Sequence, residues 1–363
     1  MEKSNKMEEK ALNKPVAENN AGTSQMLENT SKKPTISIIL ATKGNKLTFL
    51  EKCINSIQEQ TFRDFEIILI YYVFSNELNS LIEKNGMLSF KDTATTLGAA
   101  RNLGVKHANG EIVIFIDDDC EAPNDWLSKI NSTFQDNPTL SCLGGAHFTP
   151  LKECEESPVS FVQGSFVESR MGDNVSFGKY TVGKIPGCNV AYRKAIFEKA
   201  GYLNETLRTV EDWEFNIRLV EKGYSLRFDP KIFVWHHRQG LKHSFFGGTK
   251  MAPFFPSLTT LRYARYDSFF ASFYLSNLLL IILIIALIFS PIVFLILLVL
   301  SLVGHFAFTA VRTKTRSWKI LYYPLAIVNT LATLTGFYYG LAKYIIHKIH
   351  RNKPNANSKT TIT

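Results

Sequence analysis

Residues 97–121 read LGAARNLGVKHANGEIVIFIDDDCE, and this stretch decides the fold. Its first half has the make-up of a helix. Gly98 opens it, Ala99, Ala100, Leu103 and Val105 give it an apolar side, and Asn109 with Gly110, which tolerate positive φ, stops it. Residues 112–116 then form a short, continuous apolar run rich in β-branched side chains, as expected of a central parallel strand covered on both faces. The run ends abruptly in Asp117, Asp118 and Asp119. Three adjacent carboxylates repel one another, and ligands of open α/β sheets collect at the carboxyl ends of strands. A divalent cation with a phosphorylated ligand would relieve that repulsion. A solvated acidic turn is the plainer alternative, but a buried strand emptying into the cluster favours a metal site.

Working outward, residues 36–41 read as a first strand and Thr42-Lys43-Gly44-Asn45 as a polar turn able to face a ligand. Residues 47–60 carry Leu50, Ile54 and Ile57 at helical spacing, 65–73 a second buried strand, and 78–90 a short helix and strand. This alternation predicts an α/β fold with a parallel sheet and right-handed crossovers. Downstream come a helix over 123–136, a strand over 141–148 and a long loop over 150–185 of the kind that shapes binding sites. A short strand at 187–192 and a helix at 193–200 that stops at Gly201 follow. Thr209 reads as an N-cap with Asp212 three places on, opening a helix with Trp213, Ile217 and Val220 on its buried stripe and Gly223 at its end. A last strand at 232–235 delivers His236 and His237.

Composition adds a second region. No Asp, Glu, Lys or Arg occurs in residues 269–311, a run much longer than the roughly 20 apolar residues that cross a bilayer once. Three transmembrane helices are expected, over 269–289, 292–311 and 320–346, after an interfacial segment at 245–268. The formal charge of +9 is therefore assigned to a membrane lipid surface and not to nucleic acid. The basic loop at 312–319 places the catalytic region, residues 34–244, on the cytosolic side of what is expected to be the plasma membrane. A third crossing would then put the basic tail at 347–363 outside, unless the last segment, with Pro324 and Gly336, re-enters. Five scattered cysteines without a CxxC give neither a disulfide framework nor a zinc motif. Residues 1–33, polar and without an apolar core, read as a disordered tail and not as a signal peptide.

The chemistry-bearing residues converge on phosphate and proton handling. Glu211 and Asp212 lie in a first helical turn, where a carboxylate caps the helix or, beside an activated electrophile, accepts the proton of an attacking hydroxyl. A mixed shell of carboxylate oxygen and imidazole, completed by a diphosphate, suits Mn²⁺ or Mg²⁺. Arg101 and Asn102 sit on the helix before the acidic strand, and an arginine near a diphosphate is suited to bidentate contact.

The order LGAARNLGVKHANGEIVIFIDDD, GCNVAYRKAIFEKAGYLNE, VEDWEFNIRLVEKGY and FVWHH resembles the family 2 glycosyltransferases, inverting enzymes of GT-A fold, the Rossmann-like nucleotide-diphospho-sugar transferase architecture. The resemblance implies a nucleotide-sugar donor and a divalent metal. It places Asp117 and Asp119 at the ends of a DxD motif, with Asp118 between them; the first faces the donor ribose and the second the metal. It makes Asp212, beside Glu211, the general base of an ED motif, and either His236 or His237 a further metal ligand. Thr42 and Arg101, with Asn102 beside it, then line the nucleotide pocket. Two departures stand out. Residues 71–77, YYVFSNE, lack the acidic, glycine-containing turn that holds the base, and residues 237–241, HRQGL, lack the QxxRW signature of processive members. One sugar per encounter is expected, delivered to a lipid-linked or membrane-proximal saccharide acceptor in cell-surface glycan assembly. A polyprenyl phosphate glycosyl synthase and an inactive membrane scaffold of the same fold are the alternatives.

Overall fold

The computed structural model describes residues 33–93, 96–161, 163–164, 185–237, 268–312 and 324–351. The expectations for the N-terminal tail at 1–32, the interfacial segment at 245–267, most of the basic loop and residues 352–363 lie outside these. Among the described residues, the strands are β1 (Ile36–Thr42), β2 (Phe65–Tyr71), β3 (Leu88–Lys91), β4 (Ile112–Asp117), β5 (Cys120–Glu121), β6 (Leu140–Phe148), β7 (Asn189–Arg193) and β8 (Ser225–His236). The helices packed around them are α1 (Leu47–Gln58), α2 (Asn76–Lys84), α3 (Leu97–His107), α4 (Trp126–Asp136), α5 (Leu151–Glu156), α6 (Ala195–Ala200) and α7 (Glu211–Glu221).

The strands form one sheet in the order β3-β2-β1-β4-β7-β6-β8-β5. Strands β3, β2, β1 and β4 are parallel, as the alternation predicts. The sheet is nevertheless mixed. β7 runs antiparallel to β4 and to β6, β5 runs antiparallel to β8, and only β6 and β8 are parallel in that half. A strand buried on both faces has no pattern that records its direction, so the reversal of β7 leaves no mark in its sequence.

Period-two alternation sends successive side chains to opposite faces, and both faces are covered. Ile36, Ile38 and Leu40 of β1 and Ile112, Ile114 and Ile116 of β4 pack with Leu50, Ile54 and Ile57 of α1 and with Trp126, Ile130 and Phe134 of α4. Ile39 of β1 and Val113 and Phe115 of β4 face the other way, towards Ala100 and Val105 of α3, Phe197 of α6 and Phe215 of α7. Full burial of each such aliphatic side chain stabilises the fold by about 1.5–3 kcal/mol before chain entropy is counted.

Three local readings are corrected. Helix α3 starts at Leu97, not Gly98, because Thr96 caps it by accepting a hydrogen bond from the Ala99 amide. Asn109 and Gly110 do not adopt positive φ. Gly110 instead lets the chain pass tightly beneath β1, where a Cβ would lie 2.6 Å from Ser37 N and 2.7 Å from Ile36 C. The helix start at 209–212 also differs. Val210, not Thr209, precedes α7, in the left-handed conformation at φ 59° and with no side-chain cap. A β-branched residue rarely adopts that region, so the backbone here holds strain.

Three long helices follow: α8 (Ser268–Phe289), α9 (Pro291–Arg312) and α10 (Pro324–Arg351). Pro291 takes the first helical position of α9, where its missing amide proton has no intrahelical partner to lose. Within the described residues, no helix is long and apolar enough to cross a membrane. Many large apolar side chains on α8 and α9 are nonetheless uncovered, Ile288 at 70%, Phe289 at 82% and Ile292 at 74% among them.

Candidate active site

Strand β4 ends at Asp117 between β1 and β7, where the direction of the sheet reverses. The three aspartates there are sorted to three different partners. Asp117 accepts a hydrogen bond from Arg101 Nη2 at 2.9 Å, Asp118 one from the Thr42 hydroxyl at 2.6 Å, and Asp119 Oδ1 lies 3.1 Å from His236 Nε2. Burial pushes the Asp117 carboxyl up to about 7 against the pull of Arg101. Asp118 also moves up, again from burial, with the Thr42 hydrogen bond opposing.

Arg101 is a buried hub. Helix α3 packs so closely on β1 that a Cβ on Gly104 would lie 2.5 Å from Ile39 Cγ2, and this fixes where the guanidinium emerges. It donates to Glu211 Oε1 at 2.8 Å, to Asp117 Oδ1 and to the Gly187 carbonyl at 2.8 Å, and it lies 5.2 Å from the Phe115 ring centroid. Only 3% of the residue is exposed, so the guanidinium is enclosed by these partners. Asn102 lies farther off. Its side chain holds the Leu203 backbone through both amide atoms and reaches Glu205, and it takes no part in the aspartate cluster.

Glu211 and Asp212 divide the work of the helix start. Glu211, 3% exposed, is turned in towards Arg101. Asp212 is half-buried. Its Oδ2 accepts from the Gly187 amide at 2.7 Å and its Oδ1 from the Trp213 amide at 2.9 Å, which hold it towards the Arg101 hub. Burial raises its pKa, with Arg101 and the two amides opposing. The Gly187 peptide thus links the two groups, its carbonyl on Arg101 and its amide on Asp212. A larger residue would displace both groups, since a Cβ would lie 2.6 Å from Arg101 Nη1 and 2.8 Å from Asp212 Oδ2.

The two histidines separate cleanly. His237 packs on Phe49, with Nε2 2.6 Å from Glu121 Oε1 and Nδ1 against Glu153 Oε1, so both ring nitrogens are occupied away from the aspartates. His236 is the one beside them: ligand atoms of Asp117, Asp119 and His236 all lie within 4.8 Å of one another. Two carboxylates and an imidazole fit a hard divalent cation such as Mn²⁺ or Mg²⁺, with room in its shell for phosphate oxygens. Burial lowers the His236 pKa, but Cys188 and Asp119 outweigh it and raise the ring above its usual range.

Sequence reasoning missed Gly187 as a linker, the Glu121 and Glu153 cradle, and His147, whose Nδ1 lies 3.3 Å from His236 Nδ1. Gly187 alone had a legible signal, a glycine two residues ahead of a buried strand.

A half-parallel α/β sheet with an acidic cluster at its reversal point defines a GT-A-like nucleotide-sugar transferase fold. The mannosyltransferase PcManGT of Pyrobaculum calidifontis, solved with GDP-Man and Mn²⁺, shares that fold at TM-score 0.51 over 89% of each chain, with 15% identity. The sequence profile described as Glycosyltransferase like family 2 matches residues 36–255, more than half of the chain. The chain belongs to that family and is a transferase enzyme. Its similar relatives include glycosyltransferase AglE of Haloferax volcanii, 24% identical over 57% of this chain and 68% of that protein. The pre-mycofactocin glycosyltransferase of Mycobacterium tuberculosis is 29% identical over 42% of this chain and 33% of that protein. A glucosyl-dolichyl phosphate glucuronosyltransferase of Haloferax volcanii is 22% identical over 48% and 57%. The chain thus spans a third to two-thirds of these relatives' lengths.

Proposed function

We propose that this enzyme transfers a single sugar, with inversion, from a nucleotide-sugar donor to a lipid-linked or membrane-proximal acceptor. The carrying observation is one connected set of side chains: Asp117 is tied through Arg101 and the Gly187 peptide to Asp212, with His236 beside Asp119. Asp117, Asp119 and His236 would hold the cation. When bound, a divalent ion supplies charge neutralisation for the departing nucleoside diphosphate. Arg101 holds Asp117 in place and, being buried, keeps the geometry from relaxing between turnovers. Asp212 accepts the proton of the attacking hydroxyl at a carboxylate oxygen, and burial, by raising its pKa, makes it a stronger base than a free carboxylate. The acceptor enters from the face opposite the leaving group, which inverts the anomeric centre.

The lipid-linked acceptor and the membrane anchor rest on the charge-free run at 269–311, on the uncovered side chains of α8 and α9, and on a relative named for a dolichyl phosphate sugar. In this reading α8–α10 hold the chain in the plasma membrane with the catalytic sheet on the cytosolic side. The alternative synthase reading would put an anionic polyprenyl phosphate in the acceptor place and leave Asp212 without a proton to take.

The test offers the full chain, purified in detergent, a panel of radiolabelled nucleotide sugars with Mn²⁺ and either polyprenyl phosphate or a lipid-linked saccharide. Label on the saccharide, lost in Asp212→Asn, is the expected result. Label on polyprenyl phosphate alone, surviving in that variant, overturns the acceptor assignment. Absence of cation-dependent turnover with any donor overturns the proposal.

A further inference from the structure

Directly behind the aspartates lies a second set of metal-ligating groups of different chemical character. Cys120 and Cys188 are buried free thiols, and one ligand atom from each of Cys120, Cys188 and His236 falls within 4.8 Å of the others. The fold builds this set from two strands and the residue ahead of a third. Cys120 is on β5, paired in register with His236 on β8, and Cys188 immediately precedes β7. His147 approaches His236 ring to ring, with 3.3 Å between their Nδ1 atoms.

We propose that Cys120, Cys188 and His236, with His147 as fourth donor, form a site for a soft divalent ion of the Zn²⁺ class, and that its occupation switches off transfer by withdrawing His236 from the aspartates. The donor chemistry separates the two sites. Two thiols and imidazole select Zn²⁺, whereas two carboxylates and imidazole suit Mn²⁺ or Mg²⁺. Tetrahedral zinc–sulfur and zinc–nitrogen bonds place ligand atoms roughly 3.5–3.8 Å apart, so closing from 4.8 Å or less takes small side-chain movements. Both thiols lose their protons to solvent as the two zinc–sulfur bonds form.

The sites exclude each other because a neutral imidazole carries a single lone pair. The other ring nitrogen bears a proton, so His236 serves one ion at a time. Binding of the soft ion stands independently of the transferase reading, while the inhibition rests on it.

The experiment titrates Co²⁺ into the full chain in detergent and follows the near-ultraviolet thiolate-to-cobalt charge-transfer band, which requires no turnover. The expected band is displaced by Zn²⁺ and lost in Cys188→Ser and in Cys120→Ser. Where transfer is measurable, Zn²⁺ inhibits it competitively with Mn²⁺, and the inhibitory concentration rises about tenfold or more in each cysteine variant. Absence of the band from the unaltered chain overturns the site, whatever the variants do. A band with Zn²⁺ inhibition unchanged in both variants overturns the switch, since the ion would then act at the aspartates. A chain that shows the band yet turns over no donor supports the site and counts against the function, which separates the two failures.

Discussion

Arg101 and Glu211 meet at 2.8 Å with only 3% and 4% of their side chains exposed, an ion pair sealed from water at the back of the aspartate cluster. Removing one partner strands the other charge in a low-dielectric setting. Arg101→Met is expected to lower unfolding free energy by about 3–5 kcal/mol, and the double variant Arg101→Met/Glu211→Leu to recover part of that loss. Denaturant unfolding of the single and double variants measures it. Strictly additive losses would show that the pair does not act as a unit.

Asp212→Asn keeps one of the two hydrogen bonds from the Gly187 and Trp213 amides, an amide side chain having a single acceptor oxygen, and removes the proton acceptor. Transfer is expected to fall about 10²–10⁴-fold in kcat with donor affinity nearly unchanged. Calorimetric donor binding beside steady-state kinetics separates the two terms. A parallel loss of affinity would recast Asp212 as a donor ligand.

The histidines should respond differently to the same change. His236→Ala is expected to weaken Mn²⁺ binding about 10-fold or more, since the ring lies beside Asp119. His237→Ala should leave that affinity nearly intact and lower thermal stability, because its ring bridges Glu121 and Glu153. Metal titration and melting curves on the two variants decide between them.

Acidity should govern the metal. The folded Asp117 carboxyl titrates near 7, above its ordinary 3.8, because it is buried. Between those values the folded chain binds the extra proton, so this group's contribution to metal-free stability falls as pH rises through that window. A cation needs the charged form. Mn²⁺ affinity is therefore expected to tighten about tenfold per pH unit below 7 from Asp117 alone, with His236 adding a second displaced proton. Proton release followed by calorimetry in buffers of different ionisation enthalpy reads the number directly. A pH-independent affinity would remove Asp117 from the shell.

Gly187→Ala tests the link between base and hub. Its Cβ would press on Arg101 Nη1 and Asp212 Oδ2 together. Stability should drop by about 1–3 kcal/mol and transfer by 10²-fold or more, since both ends of the link move. Wild-type turnover in this variant would mean that the peptide's position is not critical.

The sequence made some of this plain and concealed the rest for physical reasons. The β4 run and its aspartates were readable because burial on both faces and a sudden change to carboxylates are both written in the residue order. Arg101 was not. An arginine on a helix reads as a surface residue, and only Gly104 beside Ile39 reveals how deeply α3 is set. β8 was seen as four residues and runs to twelve, because its pairing with β6 is interrupted between Gly145 and Ala146 and its apolar pattern breaks there. The histidine pair was left open because the two follow one another at the end of β8, and which of them meets the aspartates depends on register with β5.

Val210 has a consequence for how variants of this enzyme would be found. Its left-handed backbone stores roughly 1–3 kcal/mol of strain, and its buried side chain returns a similar amount by packing. Val210→Gly relieves the first and forfeits the second, so a library sorted by heat resistance would pass over the position as neutral. The same library sorted by product formation would single it out, because the residue sets the angle at which Glu211 and Asp212 enter α7.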